Sequence, residues 1–288
     1  MHKTSIRQLI ASEKPLVTPL AHDALSARLI ERAGFKGIAV GGSALLAARY
    51  ALPDIGLAAF GEMLAGIRDI IAATDLPLVV DGDDGYGDVK SVAHMMETFL
   101  QLGVSGVVLE DQLLVAKQPG DSGATAVVPT NTMVDKIKVA VATCTNTEMQ
   151  LIARCDAYKL EGLSAAMRRA ERYLAAGAHG LFIPGLSSVE ELAEVGKAFK
   201  GVHLMTAQFE GRPTWLTPSQ YFEMGYRHLT LPGLLIPRLV NCMDETLQEL
   251  NHFMETGQPL KTYPIASAQK ALEQALKFEK WTSFSKSQ

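Results

Sequence analysis

Eight short apolar runs, each followed by a segment with helical apolar spacing, leave this chain few folds to choose from. The runs are PLVTPL (15–20), GIAVGG (37–42), PLVVDG (77–82), GVVLED (106–111), MQLIARC (149–155), GLFIPG (180–185), VHLMTA (202–207) and HLTLP (228–232). Their apolar residues are consecutive rather than alternating, so both faces of each strand are expected to be buried. That is the mark of a parallel sheet covered by helices. Segments such as ALSARLIERAGF, EMLAGIRDIIAATD, DVKSVAHMMETFLQLG and LSAAMRRAERYLAAG carry the helical period between them. Several close on a glycine, a helix C-terminal signal. Eight such units in 288 residues predict an α/β fold of the (β/α)8 TIM-barrel type, which fits them better than an open doubly wound sheet.

Two segments break the rhythm. Residues 112–130, QLLVAKQPGDSGATAVVPT, separate the fourth strand from its helix and read as a lid or binding loop. Near the C-terminus, PIASAQKALEQALKFEKW (264–281) forms an extra amphipathic helix that the barrel does not need. Its apolar stripe needs cover, which a second subunit would supply. The chain is read as one domain, 1–288, with a barrel over 1–257 and a helical extension over 258–288.

A net charge of −4 without any Lys/Arg cluster argues against a nucleic-acid partner. Runs of about 18 apolar residues, as a membrane span needs, do not occur. The opening MHKTSIRQLIASEKP lacks the apolar core of a secretory signal, and the three cysteines share no close spacing. A cytoplasmic protein is expected.

The acidic residues carry the functional signal. LPLVVDGDDGYGD (76–88) crowds Asp81, Asp83, Asp84 and Asp88 behind one strand. Mutual repulsion makes such a cluster costly unless a cation sits among the carboxylates or water separates them. Asp84 and Asp88 are read as turn and helix-cap residues. In a barrel, chemistry gathers at the C-terminal ends of the strands. Asp81 and Asp83 end the third strand, Glu110 and Asp111 end the fourth, and Asp54 follows the second. Arg154 ends the fifth and is expected to face the same mouth. Hard oxygen ligands without histidine suit Mg²⁺, or Mn²⁺, rather than zinc. The remaining coordination positions would go to a substrate with adjacent oxygens, such as a 2-oxo acid, whose carboxylate Arg154 could grip.

AHDALSARLIERAGFKGI, GGSALLAARYALPDIGL, LPLVVDGDDGYGD, GVSGVVLEDQ and LIARCDAY follow one another in an order and spacing that resembles the isocitrate lyase/phosphoenolpyruvate mutase superfamily, over roughly residues 3–250. The resemblance implies that Asp81 coordinates Mg²⁺ directly, while Asp54, Asp83 and Glu110 hold it through water. It places Gly42, Ser43 and Ala44 where backbone amides and a hydroxyl bind the substrate carboxylate, and Arg154 on substrate oxygens. Residues 112–130 match the gating loop. Members are tetramers that exchange terminal helices between subunits.

Departures from the family pattern shape the expected chemistry. The lyases' loop carries a K-x-C-G-H cysteine, but this loop has neither Cys nor His, and Lys117 is its only basic residue. Lys117 is therefore the loop's candidate catalytic group. The mutases' loop lysine and asparagine fall on Ala116 and Gln118 in ungapped register. Pro184 stands where mutases have His and lyases Glu, and Leu234 lies near a histidine position of decarboxylases. FEGRPTWLTPSQYFEMGYRHLTLPGLLIPR favours the lyase and decarboxylase side, and in this region Gln208 and Glu210 are candidates to face the mouth. The expected function is Mg²⁺-dependent C–C cleavage, by decarboxylation or retro-aldol reaction, of a small 2-oxo or 2-hydroxy acid through an enolate-like intermediate. The alternatives are P–C chemistry, as a phosphonomutase or phosphonopyruvate hydrolase, and a keto-acid-binding protein without turnover.

Overall fold

The computed structural model describes residues 5–117 and 124–286. Its eight strands are parallel: β1 (Leu16–Pro19), β2 (Ile38–Val40), β3 (Leu78–Asp81), β4 (Gly106–Glu110), β5 (Gln150–Arg154), β6 (Gly180–Phe182), β7 (His203–Ala207) and β8 (Tyr226–Leu231). Ladders run from β1 through β8, β7 and on down to β2. Between β1 and β2 a single bridge, Leu20 to Ala39, brings the ring close to closure, helped by the Ala21 amide donating to the Ala39 carbonyl at 2.9 Å. The expected TIM barrel is the fold observed.

Side-chain parity explains the continuous apolar runs. Leu16, Val79, Val108, Ile152, Phe182 and Met205 point inward and pack together with Ile6, from the short helix Ile6–Ile10. Their neighbours Val80, Val107, Leu109, Leu151, Ala153, Leu181 and Leu204 point outward into the larger core under the helices. Each strand is thus buried on both faces. Gly196, in the helix Val189–Ala198, lies against the backbone at Met224, and a Cβ there would overlap the Met224 carbonyl oxygen. Gly196→Ala should therefore lower stability by about 2 kcal/mol despite the better helix propensity of alanine, as thermal or denaturant unfolding would show.

One interior sector is polar. The His228 ring Nε2 and Thr18 Oγ1 share a 2.8 Å hydrogen bond, and the rings of His203 and His228 stack at 5.6 Å. Both nitrogens of His203 and Nδ1 of His228 have no hydrogen-bond partner among the described residues. Burial, and then the neighbouring His179, push His203 down to about 4, and burial, then His203, lowers His228 well below the ordinary histidine value. Unfolded histidines take up protons near pH 6.5, so acidification stabilises the unfolded chain first. The sign is a loss of stability as pH falls from 6.5 towards 4, on the order of 3 kcal/mol for His203. Calorimetric Tm values at pH 7 and pH 4.5 should fall more for the wild type than for His203→Gln. That difference cancels the carboxylates common to both.

The C-terminal region departs from a simple barrel. The helix Leu235–Thr256, in the position of the eighth helix, fully buries none of its side chains among the described residues, although Leu235 and Ile236 of its first turn pack against the barrel. Leu239, Val240, Met243, Leu247, Leu250, Phe253 and Met254 are all exposed. The extra helix over 264–281 is two helices, Ile265–Ala275 and Phe278–Ser283. The first is tied back to the barrel where Arg28 Nη1 donates to the Ala275 carbonyl and Arg32 Nε to Gln274 Oε1, both at 3.0 Å. Among the described residues no helix is long and apolar enough to cross a membrane.

Candidate active site

The same parity builds the mouth of the barrel. Asp81, Glu110 and Arg154 each lie two residues beyond an inward-pointing residue (Val79, Val108 and Ile152) at the end of β3, β4 and β5. Asp111, one residue on, points outward instead. It accepts from the Tyr173 hydroxyl at 2.6 Å and the Asp156 amide at 2.7 Å, a structural role between strand and helix. Cys155 likewise faces outward, its thiol directed at the Ala166 carbonyl.

The GDDGYGD turn then folds back over the strand end. Asp83 and Tyr86 have φ of 46° and 58°, and Gly85 and Gly87 have 86° and 145°, so four of five consecutive residues adopt left-handed backbone. This places the Asp83 amide on Asp81 Oδ1 at 3.1 Å and the Asp83 carbonyl on the Glu110 amide at 2.9 Å. Asp84 accepts from the Tyr86 amide, and Asp88 caps the helix Val89–Leu102. Both have the turn and cap roles their positions suggest.

Two cations hold the remaining carboxylates. Arg154 Nη1 lies 2.9 Å from Glu110 Oε2 and 3.9 Å from Asp81 Oδ2, while its Nη2 donates to Asp156 Oδ1 at 2.8 Å. Lys117 Nζ sits between Asp54 and Asp83, 2.9 Å and 3.4 Å from one oxygen of each. Five carboxylates thus face two cations in a desolvated cluster. Burial, followed by the charge of Asp81, pushes Asp83 up to about 7. Burial also raises Asp81 and Glu110, with Arg154 opposing it. For Lys117, burial alone would lower the pKa, but the surrounding carboxylates outweigh it and hold the ammonium firmly protonated.

This excess of negative charge is what a divalent cation would neutralise, and the donor set is the hard oxygen type that suits Mg²⁺. Among the described residues no three acidic, imidazole or thiol groups converge as direct ligands.

A cavity of about 600 Å³ opens beside the cluster, lined by Asp54, Asp81, Lys117 and Arg154. Ser43 lines it too, at the start of the helix Gly42–Tyr50, whose first-turn amides have no side-chain cap. Free amides at a helix N-terminus suit an anionic group. Gly42 and Ala44, expected to hold a substrate carboxylate beside Ser43, are buried and lie outside the lining, and Gly41 lines the cavity in their place. Gln208 faces the cavity with its Nε2 bound to Thr206 Oγ1 and its Oε1 without a hydrogen-bond partner among the described residues. Glu210 does not reach the cavity: it pairs at the surface with Arg238 at 2.6 Å. Asp156 and Gly41 were missed in the sequence. The only signal for Asp156 is that it lies two residues after Arg154 and so shares its parity.

The flanks of the loop over 112–130 pair with each other through the bridge Gln112–Val127 and the Leu113 amide donating to the Ala126 carbonyl at 2.9 Å. This carries Lys117 to the cluster. Gln118 and the rest of 118–123 lie outside the described residues.

Fold and site together define a TIM-barrel enzyme of the lyase and mutase class, with a carboxylate-rich mouth. The family model for phosphoenolpyruvate phosphomutase matches residues 6–251, and the chain belongs to that family. It is 32% identical over 227 residues to 2,3-dimethylmalate lyase of Eubacterium barkeri, covering 79% of this chain and 78% of that one. A probable 2-methylisocitrate lyase of Corynebacterium glutamicum is 33% identical over 283 residues, covering 98% and 90% of the two chains. Among solved structures, oxaloacetate acetylhydrolase in complex with the inhibitor 3,3-difluorooxalacetate superposes with a TM-score of 0.84 at 26% identity, covering 98% of this chain and 97% of the other.

Proposed function

We propose that this protein is a Mg²⁺-dependent carbon–carbon lyase acting on a 2-oxo or 2-hydroxy carboxylic acid. The observation that carries the reading is the surplus of buried carboxylates at the ends of β3 and β4, joined by Asp54 and only partly neutralised by Arg154 and Lys117. Asp81 would hold the ion directly, with Asp54, Asp83 and Glu110 behind water; Mn²⁺ would serve in the same set. When bound, a divalent cation supplies Lewis-acid stabilisation of negative charge on a substrate oxygen.

The chain's own groups do the rest. The substrate carboxylate would sit on the amides of Gly42, Ser43 and Ala44 and the Ser43 hydroxyl. Arg154 would face the oxygen on C2 and stabilise its negative charge, as the alkoxide of a 2-hydroxy acid before its C2–C3 bond breaks or as the enolate that a 2-oxo acid forms when its C3–C4 bond breaks. Gln208 Oε1, an acceptor without a partner, would take a hydrogen bond from a substrate hydroxyl. Lys117 is held charged by its carboxylates, so it would act as a proton donor to the departing fragment, or as an electrostatic partner, rather than as a base. The exposed apolar face of Leu235–Thr256 supports association with further copies of the chain, which the family resemblance would make a homotetramer with exchanged terminal helices, acting on small molecules in the cytoplasm.

The test is turnover of oxaloacetate, 2-methylisocitrate, 2,3-dimethylmalate and phosphonopyruvate with Mg²⁺, scored by product release. Cleavage of any of the first three supports the reading. Turnover of phosphonopyruvate alone would make this a P–C enzyme, and binding without turnover of any would leave a keto-acid-binding protein.

A further inference from the structure

We infer that the acid held in this site carries an extended alkyl or aryl substituent, seated against the half of the mouth formed by β6, β7, β8 and β1; the inference rests on the lyase reading above. Charge is distributed unevenly around the rim. Asp54, Asp81, Lys117 and Arg154 all come from the β2–β5 half of the barrel. The opposite half presents Leu20, Phe182, Pro184, Leu186, Met205 and Ile236 to the same cavity, interrupted by the uncharged polar groups of Thr206, Gln208, Thr214 and Thr230. Among the described residues lining that half, the only charged side chain is Arg212. Its guanidinium stacks over the Phe209 ring at 4.6 Å, in the loop after β7.

Volume points the same way as polarity. A three-carbon acid gripped at Arg154 and the first turn of Gly42–Tyr50 would leave most of about 600 Å³ to water. Cavities of this size ordinarily enclose much larger ligands, with an apolar lining and a few polar anchors. Water against an apolar wall is poorly held, so its displacement by a hydrocarbon group is favourable. The carboxylate-bearing half thus anchors the reacting end of the molecule, and the apolar side chains of the opposite half select for its tail.

The experiment is calorimetric titration of the full-length protein, loaded with Mg²⁺, with pyruvate, 2-oxobutyrate, 2-oxopentanoate, 2-oxohexanoate and phenylpyruvate. Each added methylene should tighten binding about two- to fourfold. Ile236→Asp and, independently, Leu186→Gln should each bring the ratio of 2-oxohexanoate to pyruvate affinity towards one. Affinity that is flat along the series, or highest for pyruvate, would overturn the inference, as would variants that keep the wild-type ratio. Tightening along the series without cleavage of any matched hydroxy acid would uphold the apolar pocket while defeating the lyase reading. Failure of every 2-oxo acid to bind would defeat both.

Discussion

Asp81→Ala is expected to abolish Mg²⁺-dependent binding of 2-oxo acids and to lower kcat/KM by at least about three orders of magnitude, with the fold retained. Asp81 ends β3, accepts the Asp83 amide on one oxygen and lies 3.9 Å from Arg154 through the other. Its removal takes away the only carboxylate proposed to touch the ion, and frees the turn that positions Asp83. Thermal stability should change little, or even rise, because a crowded negative charge has gone. Asp81→Asn separates charge from hydrogen bonding, since it keeps an acceptor for the Asp83 amide. It should lose as much binding as alanine. Titration of Mg²⁺ and oxalate reads the effect directly, and unchanged binding in either variant would falsify the metal assignment.

Arg154→Ala should be the most destabilising single change at the mouth, costing about 3–5 kcal/mol, because Glu110 and Asp156 would be left buried without their cation. Glu110 already sits above the usual carboxylate range through burial, opposed by Arg154. Loss of that cation raises it further. A carboxyl whose folded pKa exceeds its unfolded value gains stability as pH falls, so the deficit of the variant should shrink on acidification from pH 8 to pH 5 in chelator. Arg154→Lys keeps a charge but loses the planar fork that reaches Glu110 and Asp156 together. It should fold, with kcat reduced about 10²–10³-fold. Denaturant unfolding across that pH range, beside steady-state rates, checks both variants. An Arg154→Ala deficit that ignores pH would show that Glu110 is not the group left unpaired.

Much of this site is visible in the order of residues. Asp81, Glu110 and Arg154 follow inward-pointing strand residues by two positions, so parity alone sends them into the mouth and Asp111 out to Tyr173. Asp84 and Asp88 act through their own neighbours' amides, within two or three residues, and are legible for that reason. Other features depend on contacts between distant segments. Lys117 reaches Asp54 and Asp83 because the loop flanks pair across Gln112 and Val127. Glu210 looks like a mouth residue in the sequence but turns to Arg238, 28 positions away.

The sequence by itself determined the eight-fold alternation of strand and helix, and the placing of carboxylates at the strand ends. Both follow from local periods, two residues in a strand and about 3.6 in a helix, that any reader of the chain can count. Only the tertiary structure decided which cations meet which carboxylates, that the carboxylate cluster occupies one half of the rim, and that Leu235–Thr256 fully buries none of its side chains among the described residues. Those outcomes depend on closing a ring of strands. Closure brings residues together by their place around the barrel, a relation that spacing along the chain does not encode.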